Sequence, residues 1–345
     1  MTDLNKFGTH RVIYPLGTLP QSAEKIDNQM VCYDNEILCE VETLNIDSAS
    51  FTQIREVCED DYDKIEEMVL DIVHTKGKLQ NPVTRSGGMF LGKIKAIGKD
   101  VKTDAQVGDK IASLVSLSLT PLVIDKIKHI DLDKDQIEIK GEAILFETGI
   151  FAKIPEDIPG NIVLSALDVC GAPAQVNLLV KENDDVLILG AAGKSGVLCA
   201  YQAKKNAGKN GNIIGVVYSE KEKEELESLN VCDHIIVGDA RRPMTIYNQV
   251  MDLNGSQVDV TINVVNVENT EMTSILPTKS TGIVYFFSMA TSFTKAALGA
   301  EGIASEAKMI IGNGYTLDHA EFTLNILRES KEMYRLFKKR YGKEK

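Results

Sequence analysis

The chain has 345 residues, 43% of them hydrophobic, with a mean hydropathy of -0.08 and a formal net charge of -12. This length suggests two domains, and the apolar content suffices for sizeable cores but not for a membrane protein, since no apolar run nears the length needed to span a bilayer. The acidic balance opposes nucleic-acid binding and suits a soluble enzyme or a cationic substrate, while six scattered cysteines without a CxxC pair suggest a reduced, cytoplasmic protein without structural zinc.

The opening stretch MTDLNKFGTHR lacks the apolar core of a secretion signal. Residues 1–30 read as irregular, broken by Pro15, Gly17 and Pro20. Residues 36–44 alternate as a strand does. They lead into Asp47-Ser48-Ala49-Ser50-Phe51-Thr52, which reads either as a helix cap on Asp47 or Ser48 or as a substrate-facing turn. The periodicity predicts one helix over 53–77, stopped by Gly77. A polar loop, Gln80 to Gly88, then carries Arg85, and strands follow at 89–97 and 110–115. Ile154-Pro155 and Ile158-Pro159-Gly160 mark a boundary, and residues 161–182 read as helical with a break at Gly171-Ala172-Pro173.

From residue 185 the pattern changes. An apolar run, Val186 to Leu189, meets Gly190, Gly193 and Gly196, and a helical pattern follows over 195–207. In a strand–turn–helix the three glycines reverse the chain, admit a pyrophosphate to the backbone, and let helix and strand pack closely. The helix start then offers unpaired N–H groups to phosphate, with Lys194 and Ser195 inside the turn. A second apolar run at 213–217, about twenty residues on, completes a βαβ unit. Strands at 234–237, 258–263, 280–287 and 307–311 alternate with helices at 220–229, 243–252 and 268–277. The expected sheet is parallel and doubly wound, and a single amphipathic helix is expected over 319–340.

This order resembles the medium-chain dehydrogenase/reductase superfamily. Val107-Gly108-Asp109-Lys110 is similar to its VGDK turn, and Leu229 to Ile236 to its LGADHVI segment. Four separated segments, Phe7–Asn28, Glu42–Ile54, Gly77–Met89 and Tyr285–Ile303, narrow the resemblance to a zinc-free branch that oxidatively deaminates a 3,5-diamino acid. The resemblance implies an α/β protein, a Rossmann sheet over 156–315 joined to a GroES-like β-rich domain over 1–155, with residues 316–345 returning to the latter. It also implies NAD as cofactor and a homodimer formed along an edge strand near Ile283–Phe287. The superfamily's zinc ligands are missing: residues 47–50 hold no Cys, and residues 86–89 read Ser-Gly-Gly-Met.

Such a deamination needs a base for the ammonium proton, a second anionic contact, and a cation for the substrate carboxylate. Asp47 is the leading base or ammonium contact, with Ser48, Ser50 and Thr52 beside it. Glu301, the one carboxylate in a small apolar run, is the second candidate, with a helix cap as its plainer role. Arg85, with Lys295 as rival, is the expected carboxylate contact, and Asp168 either orients substrate or caps a helix. Cys170 reads as a packed thiol, and His10 and His74 as structural or exposed. On the cofactor side, Asn263, Asn266, Ser288 and Met289 follow the fourth and fifth strands. An acidic residue to hold the ribose 2′-hydroxyl is expected near Val217; Glu220, slightly further on with Ser219 beside it, reads either as that contact or as an acidic residue in the first turn of a helix, and Tyr218-Ser219 would also tolerate a 2′-phosphate. Two other readings stay open: a zinc-free NADPH-dependent reductase of enones, quinones or enoyl thioesters, and a non-catalytic nucleotide-binding protein.

Overall fold

A computed structural model describes residues 4–312 and 314–342. The chain divides after Asp168 into a first compact unit, which also takes the end from Tyr341, and a second, Val169–Arg340.

In the first unit β1 (Val12–Tyr14) and β2 (Lys25–Ile26) form a small antiparallel pair. The main sheet contains β3 (Glu36–Asn45), β4 (Met89–Ile97), β5 (Lys110–Ser113), β6 (Leu122–Asp131), β7 (Gln136–Phe146) and β8 (Phe151–Lys153), all antiparallel, in the order β6-β7-β3-β4-β5-β8. Alternation along β3 turns Ile37, Cys39 and Val41 into one core. They join Phe51 and Ile54 of α1 (Ser48–Cys58) and Ile65, Val69 and Val73 of α2 (Tyr62–Lys76). The single helix expected over 53–77 is therefore two. Glu59 and Asp60 both take left-handed backbone angles, φ 57° and 58°, which no helix continues through, and Asp61 caps the second helix. The β6–β7 hairpin was not expected. Its turn is closed by Asp131, whose Oδ1 accepts from Asp133 N and Lys134 N. Helix α3 (Gly160–Leu167) ends this unit.

The second unit begins with α4 (Gly171–Leu179). Its sheet is parallel, ordered β11-β10-β9-β12-β13-β14, with β9 (Val186–Leu189), β10 (Ile213–Val217), β11 (His234–Val237), β12 (Val258–Asn263), β13 (Thr278–Phe286) and β14 (Lys308–Ile311). Numbered from β9, this is the 3-2-1-4-5-6 order of a doubly wound dinucleotide fold. All four residues of β9 are buried, as a central parallel strand covered on both faces requires. The helices are α5 (Lys194–Ala207), α6 (Glu220–Leu229), α7 (Pro243–Asn254), α8 (Glu271–Ile275), α9 (Phe293–Gly302), α10 (His319–Glu329) and α11 (Lys331–Tyr341).

Three expectations change here. The expected helix over 319–340 breaks at Ser330 into α10 and α11. Helix α10 does not return to the first unit: it contacts α4 and α5, and Thr323 Oγ1 donates to Cys170 O at 3.1 Å. Residues 343–345 of that expected return lie outside the described residues. The edge strand is also different. Ile283–Phe286 pair with Lys308–Ile311, so β14 is the edge, and Met309 and Ile311 are exposed on it. Helix α9, between them, was not anticipated.

The amino-terminal segment is anchored by a buried ion pair. Arg11 Nε and Nη2 each donate to a Glu36 carboxylate oxygen at 2.7 Å, and both side chains are fully buried. His10 Nε2 lies 2.8 Å from the same carboxylate, and Tyr33 N donates to it. Arg11 also donates to Gln29 O and Val31 O, tying together the loop before β3. Burial pushes the Glu36 carboxyl up, but the bonds from Arg11, His10 and Tyr33 outweigh it and hold it below its ordinary value of 4.5. We expect Glu36→Gln or Arg11→Met to cost about 3–5 kcal/mol in denaturant melts, the cost of removing one partner of a buried pair. Because the folded value is depressed, Glu36 contributes stability above the ordinary carboxylate range and loses it as pH falls through the folded value. The gap between wild type and Glu36→Gln should therefore narrow in acid.

Candidate active site

The glycine turn after β9 has the geometry of a phosphate cradle. Gly190 has φ 80°, and a Cβ there would stand 2.9 Å from the Val265 backbone. Its N–H and that of Ala191 both reach Val216 O at 3.1 Å, holding the turn on the neighbouring strand. At Gly196 an added Cβ would lie 2.1 Å from Gly190 O, so only glycine lets α5 start so close to the turn. Gly193 caps α5 without a side-chain bond. The start of α5 presents the positive end of the helix dipole at the turn, and these residues fit a dinucleotide pyrophosphate. Lys194 and Ser195 open the helix, half-buried. Sequence reading missed Arg340, whose Nη2 donates to Ala192 O at 3.0 Å and to Glu225 Oε2 at 2.6 Å. No local pattern marks a residue that arrives from the far end of the chain.

The other cofactor-side candidates divide. Asn263 is fully buried and committed: its Nδ2 donates to Thr270 and Ser274, and its Oδ1 accepts from Val265 N. It shapes the loop after β12. Ser288 N donates to Asn263 O, and Ser288 Oγ accepts from Ala290 N. Met289 is 70% exposed beside it, and Asn266 is exposed. Ser219 caps α6, and Glu220 is exposed in the first turn, 4.0 Å from Lys223.

In the first unit, Asp47 is the cap of α1. Its Oδ1 accepts from Ser50 N at 3.0 Å, while its Oδ2 is buried with no hydrogen-bond partner among the described residues. Buried polar atoms are nearly always paired, so an orphaned carboxylate oxygen points to a missing ligand. Ser48 turns to Asp135 at 2.8 Å, and Thr52 is exposed, so neither supports Asp47. Asn81 ties α1 to the polar loop: its Nδ2 donates to Gln53 at 2.7 Å and to Ser50 O, and its Oδ1 accepts from Val83 N and Thr84 N. Thr84 Oγ1 lies 2.5 Å from Ser50 Oγ. Gly88 has φ 95° and comes so near that a Cβ would stand 2.0 Å from Asn45 O. Two more orphaned atoms, Asn45 Nδ2 and Gln80 Oε1, belong to the same strand end and loop. Arg85, with φ 62°, sits exposed at the loop tip, its backbone carbonyl held by Gln21 and Gln80.

The buried cation of this region, Lys78, carries no mark in the sequence. Its Nζ donates to Pro20 O at 2.6 Å and Gln21 O at 3.3 Å, with no carboxylate partner among the described residues. Burial, with Lys76 and Arg85 nearby, pulls it down to about 7. Gln21 also receives Ser118 Oγ and forms one wall of an apolar cavity of about 190 Å³ with Leu19, Val115, Leu119 and Phe146.

The remaining candidates are dispersed. Glu301 is exposed in the last turn of α9, and Lys295 Nζ donates to Asn269 Oδ1 at 2.7 Å. Asp168 is the residue after α3, half-buried. Cys170 is buried, His74 is exposed, and His10 belongs to the Glu36 cluster. Among the described residues no group of three or more His, Cys, Asp or Glu side chains could hold a metal ion.

Two outcomes follow from this geometry. Gly196→Ala should destabilise the protein by about 1–3 kcal/mol through overpacking and weaken NADH binding in a fluorescence titration. For Lys78, the unfolded chain takes up a proton near 10.5 that the folded chain refuses until about 7. Stability should therefore rise as pH goes from 7 to 10, and Lys78→Met should lose that part of the slope in denaturant melts.

Comparison with known proteins agrees with this picture. The sequence model of the L-erythro-3,5-diaminohexanoate dehydrogenase N-terminal domain matches residues 10–155. L-erythro-3,5-diaminohexanoate dehydrogenase of Acetoanaerobium sticklandii is 57% identical over 339 residues, covering 97% of this chain and 98% of that protein. The enzyme of the same name from Fusobacterium nucleatum subsp. nucleatum is 56% identical over the same shares. Among solved structures, CurK enoyl reductase superposes with a TM-score of 0.57 at 16% identity, over 90% of this chain and 83% of that one; this likeness concerns the fold alone. The chain belongs to the L-erythro-3,5-diaminohexanoate dehydrogenase family.

Proposed function

We propose that the chain oxidises L-erythro-3,5-diaminohexanoate with NAD and water to 5-amino-3-oxohexanoate, NADH, ammonium and a proton. The observation that carries this reading is full-length identity above half to two relatives of that name. Bound NAD supplies the hydride acceptor. The work left to the side chains is to bind the substrate, hold its reacting nitrogen and remove a proton. An ammonium group cannot assist hydride loss from its own carbon, so it must first be deprotonated. Asp47 Oδ2, buried and unpartnered, is suited to receive that proton. Ser50 N fixes the other oxygen and so the carboxylate's orientation. Glu301, exposed on α9, lacks such a setting. Arg85 is suited to the substrate carboxylate, since it is exposed and stands on the loop that Asn81 fastens to α1.

The reading extends to the assembly and its surroundings. The open edge of β14, with Met309 and Ile311 exposed, suits pairing with a second copy to form a homodimer. All six cysteines are free, which suits a reducing cytoplasm. Among the described residues no single helix is long and apolar enough to cross a membrane.

The enzyme should form NADH and ammonia in equal amounts from 3,5-diaminohexanoate and be inert towards simple alcohols; alcohol turnover without amine turnover would refute the reading. Asp47→Asn keeps a competent helix cap but loses the base, so kcat should fall by roughly 10²–10⁴-fold with the melting temperature little changed. Arg85→Ala should act mainly on KM.

A further inference from the structure

We propose that Glu222 and Asp239 select NAD over NADP. This rests on the NAD reading above and assigns it to residues that sequence reasoning passed over. In a doubly wound sheet the adenine-side ribose lies at the tip of the second strand. Here that strand is β10, ending at Val217. Gly238 N donates to Val217 O at 2.9 Å, so the loops after β10 and β11 run side by side.

Ser219 and Glu220, the residues expected to meet the ribose, are placed otherwise. Ser219 Oγ accepts from Glu222 N, and Glu220 leans towards Lys223. The carboxylate that does stand at the strand tip belongs to Glu222. Its Oε2 accepts from Tyr218 N at 2.7 Å and from Ser219 N at 3.2 Å, closing a reciprocal capping box. Those two N–H groups are natural donors for an anion on the ribose, and the chain's own carboxylate has taken them. The Glu222 Oε1 takes part in neither bond and can accept from a 2′-hydroxyl.

Two nearby arginines are neutralised in the same way, while Lys221 at the start of α6 and Arg242 just before α7 are exposed. Arg241 is folded onto Asp239 with Nε at 2.9 Å from Oδ1 and Nη2 at 2.9 Å from Oδ2. Arg340, lying between the glycine turn and α6, is held by Glu225, three residues beyond Glu222 on the same helix. A 2′-phosphate would bring nearly two negative charges to a place where Tyr218 N, Ser219 N, Arg241 and Arg340 are already engaged by carboxylates. A 2′-hydroxyl brings a donor that a carboxylate accepts. Discrimination therefore comes as much from repulsion of NADP as from attraction of NAD.

The test is direct binding, independent of turnover: dissociation constants of NADH and NADPH by fluorescence titration and calorimetry, on wild type, Glu222→Gln, Asp239→Asn and the double variant. Gln retains the N3 capping bonds while removing the charge. Wild type should favour NADH by at least about tenfold, and the double variant should narrow that ratio by about tenfold or more, chiefly through tighter NADPH binding. If wild type binds NADPH as well as NADH, the NAD reading fails and the proposal with it. If wild type is selective and the folded variants keep its ratio, the proposal is overturned while the NAD reading stands. Should Glu222→Gln fail to fold, the Asp239→Asn ratio decides: unchanged selectivity overturns the proposal.

Discussion

The second unit depends on one close approach, that of Gly196 to the carbonyl of Gly190. With no Cβ between them, α5 begins directly at the turn and its first N–H groups face outward, uncapped. Any side chain there would push the helix away and separate the N–H groups from the strand tips. The order of the parallel strands follows the same logic. β9 lies at the centre, buried on both faces, so the turn that leaves it opens where the strand order reverses.

A corresponding constraint organises the first unit. Asp47 lies two residues past the end of β3 and caps α1, so one carboxylate oxygen is spent on the helix while the other is buried and unpaired among the described residues. The polar loop is brought against it by Asn81, which bonds α1 with its amide and the loop backbone with its carbonyl. An orphaned acid oxygen costs free energy in the free protein. Such a cost is tolerated at functional sites, where a ligand removes it. Lys78 adds a second strained group, a buried ammonium with only carbonyl partners.

The parts of this architecture that depend on local pattern were readable in the residues. The glycine spacing at 190, 193 and 196, the apolar run of β9 and the strand–helix alternation after residue 185 all survive in the structure. Asp47 as a cap was readable too; its unpaired second oxygen was not, because that depends on what packs above it. The capping box Ser219-Glu220-Lys221-Glu222 has its sequence signature, but the same residues also fit a ribose contact at Glu220, and the pattern alone does not separate the two. The β6–β7 hairpin alternates, yet its exposed face is dense in lysine and aspartate and resembles a solvated loop. Helix α9 escaped notice because it exposes Phe293 and Leu298, so its apolar residues mark no single face. Contacts such as Arg340 with Ala192, or Lys78 with Pro20, join distant segments and have no local signature.

In the proposed reaction hydride leaves the nitrogen-bearing C3 of the diamino acid for the nicotinamide. The most direct measurement uses 3,5-diaminohexanoate deuterated at C3, with mass spectrometry of the recovered dinucleotide. The account predicts that the deuterium appears in the reduced nicotinamide, one per ammonia released. Reduced nicotinamide free of deuterium, or no reduction at all by protein that binds NAD, would contradict it.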